Sequence, residues 1–190
     1  QERLENELSK KFFLVPLQVG NDAQIHAHSV FESNREFITV VLKSFAEHGP
    51  KASWLVIKQH PLERGYSQHG PFIYRLAEEL GIRDRVLYIH DQHLPSLLEN
   101  ATGVVVINST VGLSAIHHRC PLIALGSAIY DIPELTFQGN LDDFWMNLQP
   151  PNMELYAAFR RNLIQKTQIN GNFYRRLPES NFKSGLIWKT

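Results

Sequence analysis

Four short segments place amides, carboxylates, hydroxyls or a histidine directly after apolar runs, where ligand-handling side chains are commonly held. In Gln18-Val-Gly-Asn-Asp22-Ala-Gln24, Asp22 is a candidate nucleophile or base toward an anomeric carbon, because carboxylates trap or stabilise oxocarbenium-like centres. Gln18 opens that segment with an amide able to bind a ligand. The same residue types also make an ordinary capped turn. In Lys58-Gln-His60-Pro61, Pro61 ends the apolar run by removing a backbone donor and biases His60 toward an extended conformation. An imidazole held there can donate to a phosphate oxygen or act as an acid, with Lys58 and Arg64 adding positive charge. A structural histidine beside solvated cations fits these residues too.

The third segment, Ile107-Asn-Ser109-Thr110-Val-Gly112-Leu-Ser114, passes from an apolar run through two hydroxyl residues into helix-favouring sequence. Unpaired N–H groups and the macrodipole make a helix entrance an anion site, to which Ser109 and Thr110 can add donors. Either hydroxyl can equally be a plain N-cap. In the fourth, Gly126-Ser-Ala-Ile-Tyr130-Asp-Ile-Pro-Glu134-Leu-Thr136, Glu134 could grip ribose hydroxyls and Tyr130 could hold a base, as in small-ligand pockets. A solvated Glu134 is the alternative.

Other chemistries find less support. The nine histidines include the close pairs His26/His28 and His117/His118, yet neither pair comes with an HExxH or carboxylate-rich arrangement, so no metal is expected. No G-x-S-x-G elbow, GxGxxG fingerprint or P-loop with GK[ST] occurs. Cys120 is the single cysteine, which excludes an internal disulfide framework and fits a reducing compartment. The 19 basic and 19 acidic residues cancel, and Lys and Arg are scattered apart from Arg160-Arg161 and Arg175-Arg176, so no nucleic-acid partner is expected. No run approaches the roughly 20 apolar residues of a membrane span, and the polar N-terminal run is not a signal peptide. A soluble protein is therefore expected. The start at Gln1 predicts a processed or excised chain.

The elements that must position these segments follow from the apolar pattern. Short β-branched runs alternate with stretches of helical spacing, the pattern of a parallel sheet wrapped by helices. Strands are expected at 12–19, 54–59, 86–89, 103–108 and 121–125, with 103–108 apolar on both faces and placed at the middle of the sheet. Helices are expected at 29–48 with Ser29 as N-cap, 72–80 with Gly81 as the stop, 94–100, 109–118, 141–148 and 152–167. In open sheets of this kind ligands bind beyond the carboxyl ends of the strands, where all four segments fall. The expected organisation is one α/β domain over 1–170, a Rossmann-like parallel sheet of about five strands flanked by helices, with a polar tail over 171–190.

Taken together in order, Phe13-Leu-Val-Pro-Leu-Gln-Val19 with Asp22, Lys58-Gln-His-Pro61, Asn108-Ser-Thr-Val-Gly112, and Leu125-Gly-Ser-Ala-Ile-Tyr130 with Leu135-Thr136 resemble the capsule polysaccharide biosynthesis and export family. That family includes β-Kdo transferases. The resemblance covers about residues 12–145 and implies the C-terminal half of a GT-B glycosyltransferase, with a CMP-activated sugar such as CMP-Kdo as donor substrate and no cofactor. It implies that His60, Ser109 and Thr110 contact the CMP phosphate and that Asp22 matches the nucleophile of related retaining transferases. The implied partners are a lipid-linked or glycan acceptor and a missing N-terminal Rossmann-like domain carrying the acceptor site. The implied location is cytoplasmic, with peripheral association at the inner face of the inner membrane. A UDP-sugar 2-epimerase or other GT-B half, and a non-catalytic capsule export or assembly module, are the competing readings.

Overall fold

The computed structural model describes residues 2–20, 28–63 and 68–167. Asp22, His26, Arg64 and the 171–190 tail lie outside the described residues. The chain divides into two compact units, Gln1–Asn152 and Met153–Thr190. The first is the α/β domain, and the described part of the second is one helix, α7 (Met153–Thr167).

Within the first unit the described elements run α1 (Glu2–Glu5), β1 (Phe12–Pro16), α2 (Asn34–His48), β2 (Trp54–Lys58), α3 (Gly70–Glu79), β3 (Val86–Ile89), α4 (Leu94–Asn100), β4 (Gly103–Val106), α5 (Val111–His117), β5 (Leu122–Ala124) and α6 (Leu141–Phe144). The five strands form one sheet in the order β3-β2-β1-β4-β5, and every pairing is parallel. The expected α/β class and strand count therefore hold. The expected middle strand does not: β4 lies second from one edge and β1 is central. A run that is apolar on both faces reports that helices cover both sides of the sheet, which is true of β1 and β4 alike, and carries no information about lateral order.

The core follows the two-residue period of the strands. Phe13, Val15, Leu55, Ile57, Val105 and Ile123 share one apolar cluster with Phe37, Val41 and Phe45 of α2. The intervening Phe12, Leu14, Val56, Val104 and Val106 are also buried. On one side α2 contacts α3 and α6, while α4 contacts α1 and α5.

The element ends explain themselves locally. Pro16, without an N–H, closes β1 three residues earlier than expected, although Leu17 N still donates to Lys58 O at 2.9 Å. Helix α3 begins at Gly70 because Pro71 occupies its first turn, where a missing N–H costs nothing. Gly81 ends it as expected, with φ of 68°; its N–H donates to Glu78 O and that of Ile82 to Ala77 O, the paired pattern of a Schellman stop.

Helix α2 corrects an expectation. Its N-cap is Ser33, whose side chain accepts from Glu36 N at 3.3 Å, and not Ser29. Ser29 Oγ instead accepts from Phe31 N at 3.2 Å, a local turn that competes with helix. Ser33→Ala is expected to lower stability by about 1 kcal/mol, against a smaller loss for Ser29→Ala. Urea denaturation of both variants checks this, and a larger loss at Ser29 would contradict the cap.

Candidate functional site

The order of the strands puts the reversal of winding between β1 and β4, the place beyond whose carboxyl ends open α/β sheets bind their ligands. Gln18 and Asn108 span it. Gln18 is buried, its Nε2 donates to Asn108 Oδ1 at 3.0 Å, and Asn108 N donates back to Gln18 Oε1 at 3.3 Å. Asn34, in the first turn of α2, donates through Nδ2 to Gln18 O at 2.7 Å. These bonds tie the turns after β1 and β4 together at their backbones as well as their side chains.

The turn after β2 is tied to the same place. His60-Pro61-Leu-Glu63 closes into a single 3-10 turn over Pro61–Glu63, with Glu63 N donating to His60 O at 3.0 Å. The Glu63 carboxylate is buried and accepts from Gly20 N at 2.8 Å, while Gln59 Nε2 donates to Glu63 O at 3.0 Å. The β5 turn joins through His28, whose carbonyl accepts from Ser127 N at 2.8 Å and Asn108 Nδ2 at 3.4 Å. Four post-strand turns thus share one hydrogen-bonded network at one edge of the sheet.

His60 is half-buried, and its Nδ1 accepts from Leu62 N at 3.2 Å. A backbone N–H can only donate, so a neutral ring here carries its proton on Nε2 and keeps that N–H for another acceptor. Only β1 separates β2 from β4, so His60 and Ser109 follow strands two spacings, or about 10 Å, apart on the same edge. Lys58 is buried beneath this edge, its ammonium 3.5 Å from Gln59 O.

Ser109 and Thr110 precede a helix shorter than expected. Ser109 Oγ accepts from Val111 N at 3.2 Å, and Thr110, exposed and itself in helical conformation, makes no side-chain cap bond. Ser109 therefore does the capping, and the Thr110 hydroxyl stays at the surface of the turn.

Tyr130 is directed into the protein. It is buried at 2 % exposure, and its hydroxyl donates to Ser109 O. Burial raises its pKa, with Asp131 adding to the effect, so the group remains a neutral donor. Its ring fills the space over Gly112, where any Cβ would fall on the ring's Cζ and hydroxyl. Tyr130 is a buttress of the Ser109 turn. Glu134 also lies apart from His60 and Ser109. It occupies a cleft lined by neither, because the chain after Tyr130 turns back along β5 until Phe137 N donates to Leu122 O at 2.8 Å.

Glu63 of this network and the nearby His69 carry no mark in the sequence. Glu63 stands three positions after His60 and looks like a solvated loop acid; only the approach of Gly20 makes it an anchor. His69, just before α3, has its pKa lowered by burial, opposed by the nearby Glu63 carboxylate, and no motif marks it. Cys120 is buried, and its thiol is pushed up to about 12 by that burial, which leaves it unreactive.

A family model described as "Capsule polysaccharide biosynthesis protein" matches residues 1–174. The chain is 47% identical over 172 residues to the capsule polysaccharide export protein KpsS of Escherichia coli, covering 90% of the chain and 44% of that protein. It is 45% identical over 183 residues to the capsule polysaccharide modification protein LipB of Neisseria meningitidis serogroup B, covering 96% and 44%. The chain spans less than half the length of these relatives. Among solved structures it is similar to the β-Kdo 2,4 transferase of Thermosulfurimonas dismutans KpsC, with a TM-score of 0.50 at 16% identity over 78% of this chain and 43% of that one. At that identity the likeness is one of fold.

Proposed function

Because the chain belongs to the capsule polysaccharide biosynthesis protein family, we propose that it is the donor-binding half of a retaining glycosyltransferase that moves Kdo or a related acidic sugar from its CMP donor. The acceptor is a lipid-linked or growing glycan, held by a second Rossmann-like domain outside this chain, on the cytoplasmic face of the membrane. The observation that carries the reading is the joined set of turns at the winding reversal, with His60 presenting Nε2–H on the same edge as Ser109 and Thr110. Departure of CMP leaves negative charge on its phosphate. Fixed donors aimed at that charge stabilise the transition state without needing to reorganise.

In this reading Asp22, carried by the family resemblance, attacks the anomeric carbon as CMP leaves, giving a glycosyl ester on its carboxylate. An acceptor hydroxyl then displaces that carboxylate, giving its proton to a base of the second domain, which restores Asp22 as a carboxylate and retains the anomeric configuration. No metal enters the scheme.

Isothermal calorimetry with CMP tests the donor site. Loss of one hydrogen bond to a charged oxygen costs about 1.5–3 kcal/mol, so His60→Ala and Ser109→Ala are each expected to weaken CMP roughly 10-fold or more. Unchanged affinity in both variants rejects the site. Tighter binding of UDP than CMP would point to an epimerase or another GT-B half. The names "export" and "modification" borne by the relatives favour a second reading, a non-catalytic assembly module, which absence of any nucleotide binding would support.

A further inference from the structure

The cleft that holds Glu134 has a chemistry of its own. Its volume is about 530 Å3, with one wall from Glu134 to Gly139 and the other from Gln149, Pro150 and Asn152. That volume lies within the range of roughly 300–1,000 Å3 typical of small-ligand sites. Leu135 and Thr136 are buried, and the half-buried Phe137 ring packs on Phe144 at 5.7 Å between centroids.

Glu134 is held in a conformation that glutamate does not choose. Its φ is 70°, in the left-handed region that a side chain penalises. Asn152 maintains it twice over, donating from its backbone N to Glu134 O at 2.8 Å and from Nδ2 to Glu134 Oε2 at 2.7 Å. Strain kept in place by its surroundings is a pointer to function. Here it fixes an exposed carboxylate at the wall of the cleft, with Oε2 engaged by Asn152.

Gln138 is fixed in the same way. Its Nε2 donates to Asp131 Oδ1 at 3.1 Å and Thr136 Oγ1 at 2.8 Å, and Thr136 Oγ1 donates to Asp131 Oδ1 at 2.6 Å. With the amide nitrogen committed, the acceptor Oε1 is what remains for a ligand. The cleft therefore offers preset acceptors, and no lysine or arginine is among the described residues that line it. Such a lining disfavours phosphates and carboxylates, which would meet Glu134 without a compensating cation. It suits a neutral ligand rich in hydroxyl donors, with an aromatic edge for its carbon face.

We propose that this cleft binds a neutral sugar residue, separately from the edge that carries His60 and Ser109. The site supplies no chemistry; it grips a pyranose ring through hydroxyls donated to Glu134 and Gln138. The proposal does not depend on the nucleotide reading.

Chemical-shift titration of the protein with the methyl glycosides of glucose, galactose and N-acetylglucosamine tests it, in the presence and absence of saturating CMP. At least one glycoside is expected to give saturable shifts at the Gln138, Gly139 and Gln149 amides, unchanged by CMP and retained in His60→Ala. Glu134→Gly is the decisive variant, since glycine accepts the φ of 70° while deleting the carboxylate; it should fold, as checked by its thermal melt, and bind at least 5-fold more weakly. Gln149→Ala, on the opposite wall, should shift the response without unfolding the domain. No saturable response to any of the three glycosides, or equal affinity in Glu134→Gly, overturns the proposal. Glycoside binding without CMP binding would remove the donor reading and leave this one standing.

Discussion

Trp145→Ala is expected to lower the stability of the protein by about 3–5 kcal/mol, the usual cost of emptying a large aromatic site. Trp145 is 1 % exposed and stands edge-on to two rings, Phe13 of β1 at 4.9 Å and 89°, and Phe45 of α2 at 5.3 Å and 73°. Its Nε1 donates to Ser44 Oγ at 2.7 Å, and Ser44 Oγ donates in turn to Asp142 Oδ1 at 2.5 Å. Alanine would lose the burial, both ring contacts and the donor to Ser44 together. Small domains are stable by only about 5–15 kcal/mol, so a large share of the total is at stake. Trp145→Phe keeps a ring in the site and removes mainly the hydrogen bond, for which about 1–2 kcal/mol is expected. Urea titrations with a common slope separate the two; equal losses for Phe and Ala, or a loss below about 1 kcal/mol for Ala, would contradict the packing account.

Gly112→Ala is expected to cost about 1–3 kcal/mol as an overpacking change and to weaken any ligand held by the Ser109 turn. The added methyl would meet the Tyr130 ring, whose hydroxyl bonds Ser109 O. Relief requires moving either Tyr130 or the first turn of α5, and both displace Ser109. The prediction is sharpest as a double-mutant cycle. Tyr130→Ala removes the obstruction, so the pair Gly112→Ala/Tyr130→Ala should be less destabilised than the sum of its parts by more than about 0.5 kcal/mol. Tyr130→Phe keeps the ring carbons and should give no such relief. Ser109 O also accepts from Gly112 N at 2.9 Å, so Tyr130→Phe alone leaves that carbonyl paired and should cost about 0.5–1.5 kcal/mol. Strict additivity in thermal denaturation would show that Gly112 and Tyr130 do not constrain each other.

Both effects converge on β1 and β4, whose carboxyl ends carry the candidate site. Phe13, beneath Trp145, lies two residues from Val15 and five from Gln18 in the chain, so the aromatic cluster underpins the strand that delivers Gln18 to Asn108. The Tyr130 buttress does the equivalent for the strand that delivers Ser109.

What could be read from the residues alone was local. Alternation of apolar runs announced strands and helices, Gly81 announced its positive φ stop, and His60-Pro61 announced a turn at a strand end. Each of these depends on the conformational preferences of a few neighbouring residues, and so survives without knowledge of the fold. Lateral strand order, the anchoring of Gly20 by Glu63 and the separate destinations of Tyr130 and Glu134 were decided only by tertiary structure. The reason is physical: a buried strand has the same composition whether it is central or one place removed, and a loop acid becomes an anchor or a ligand-facing group according to what the sheet brings within hydrogen-bond reach.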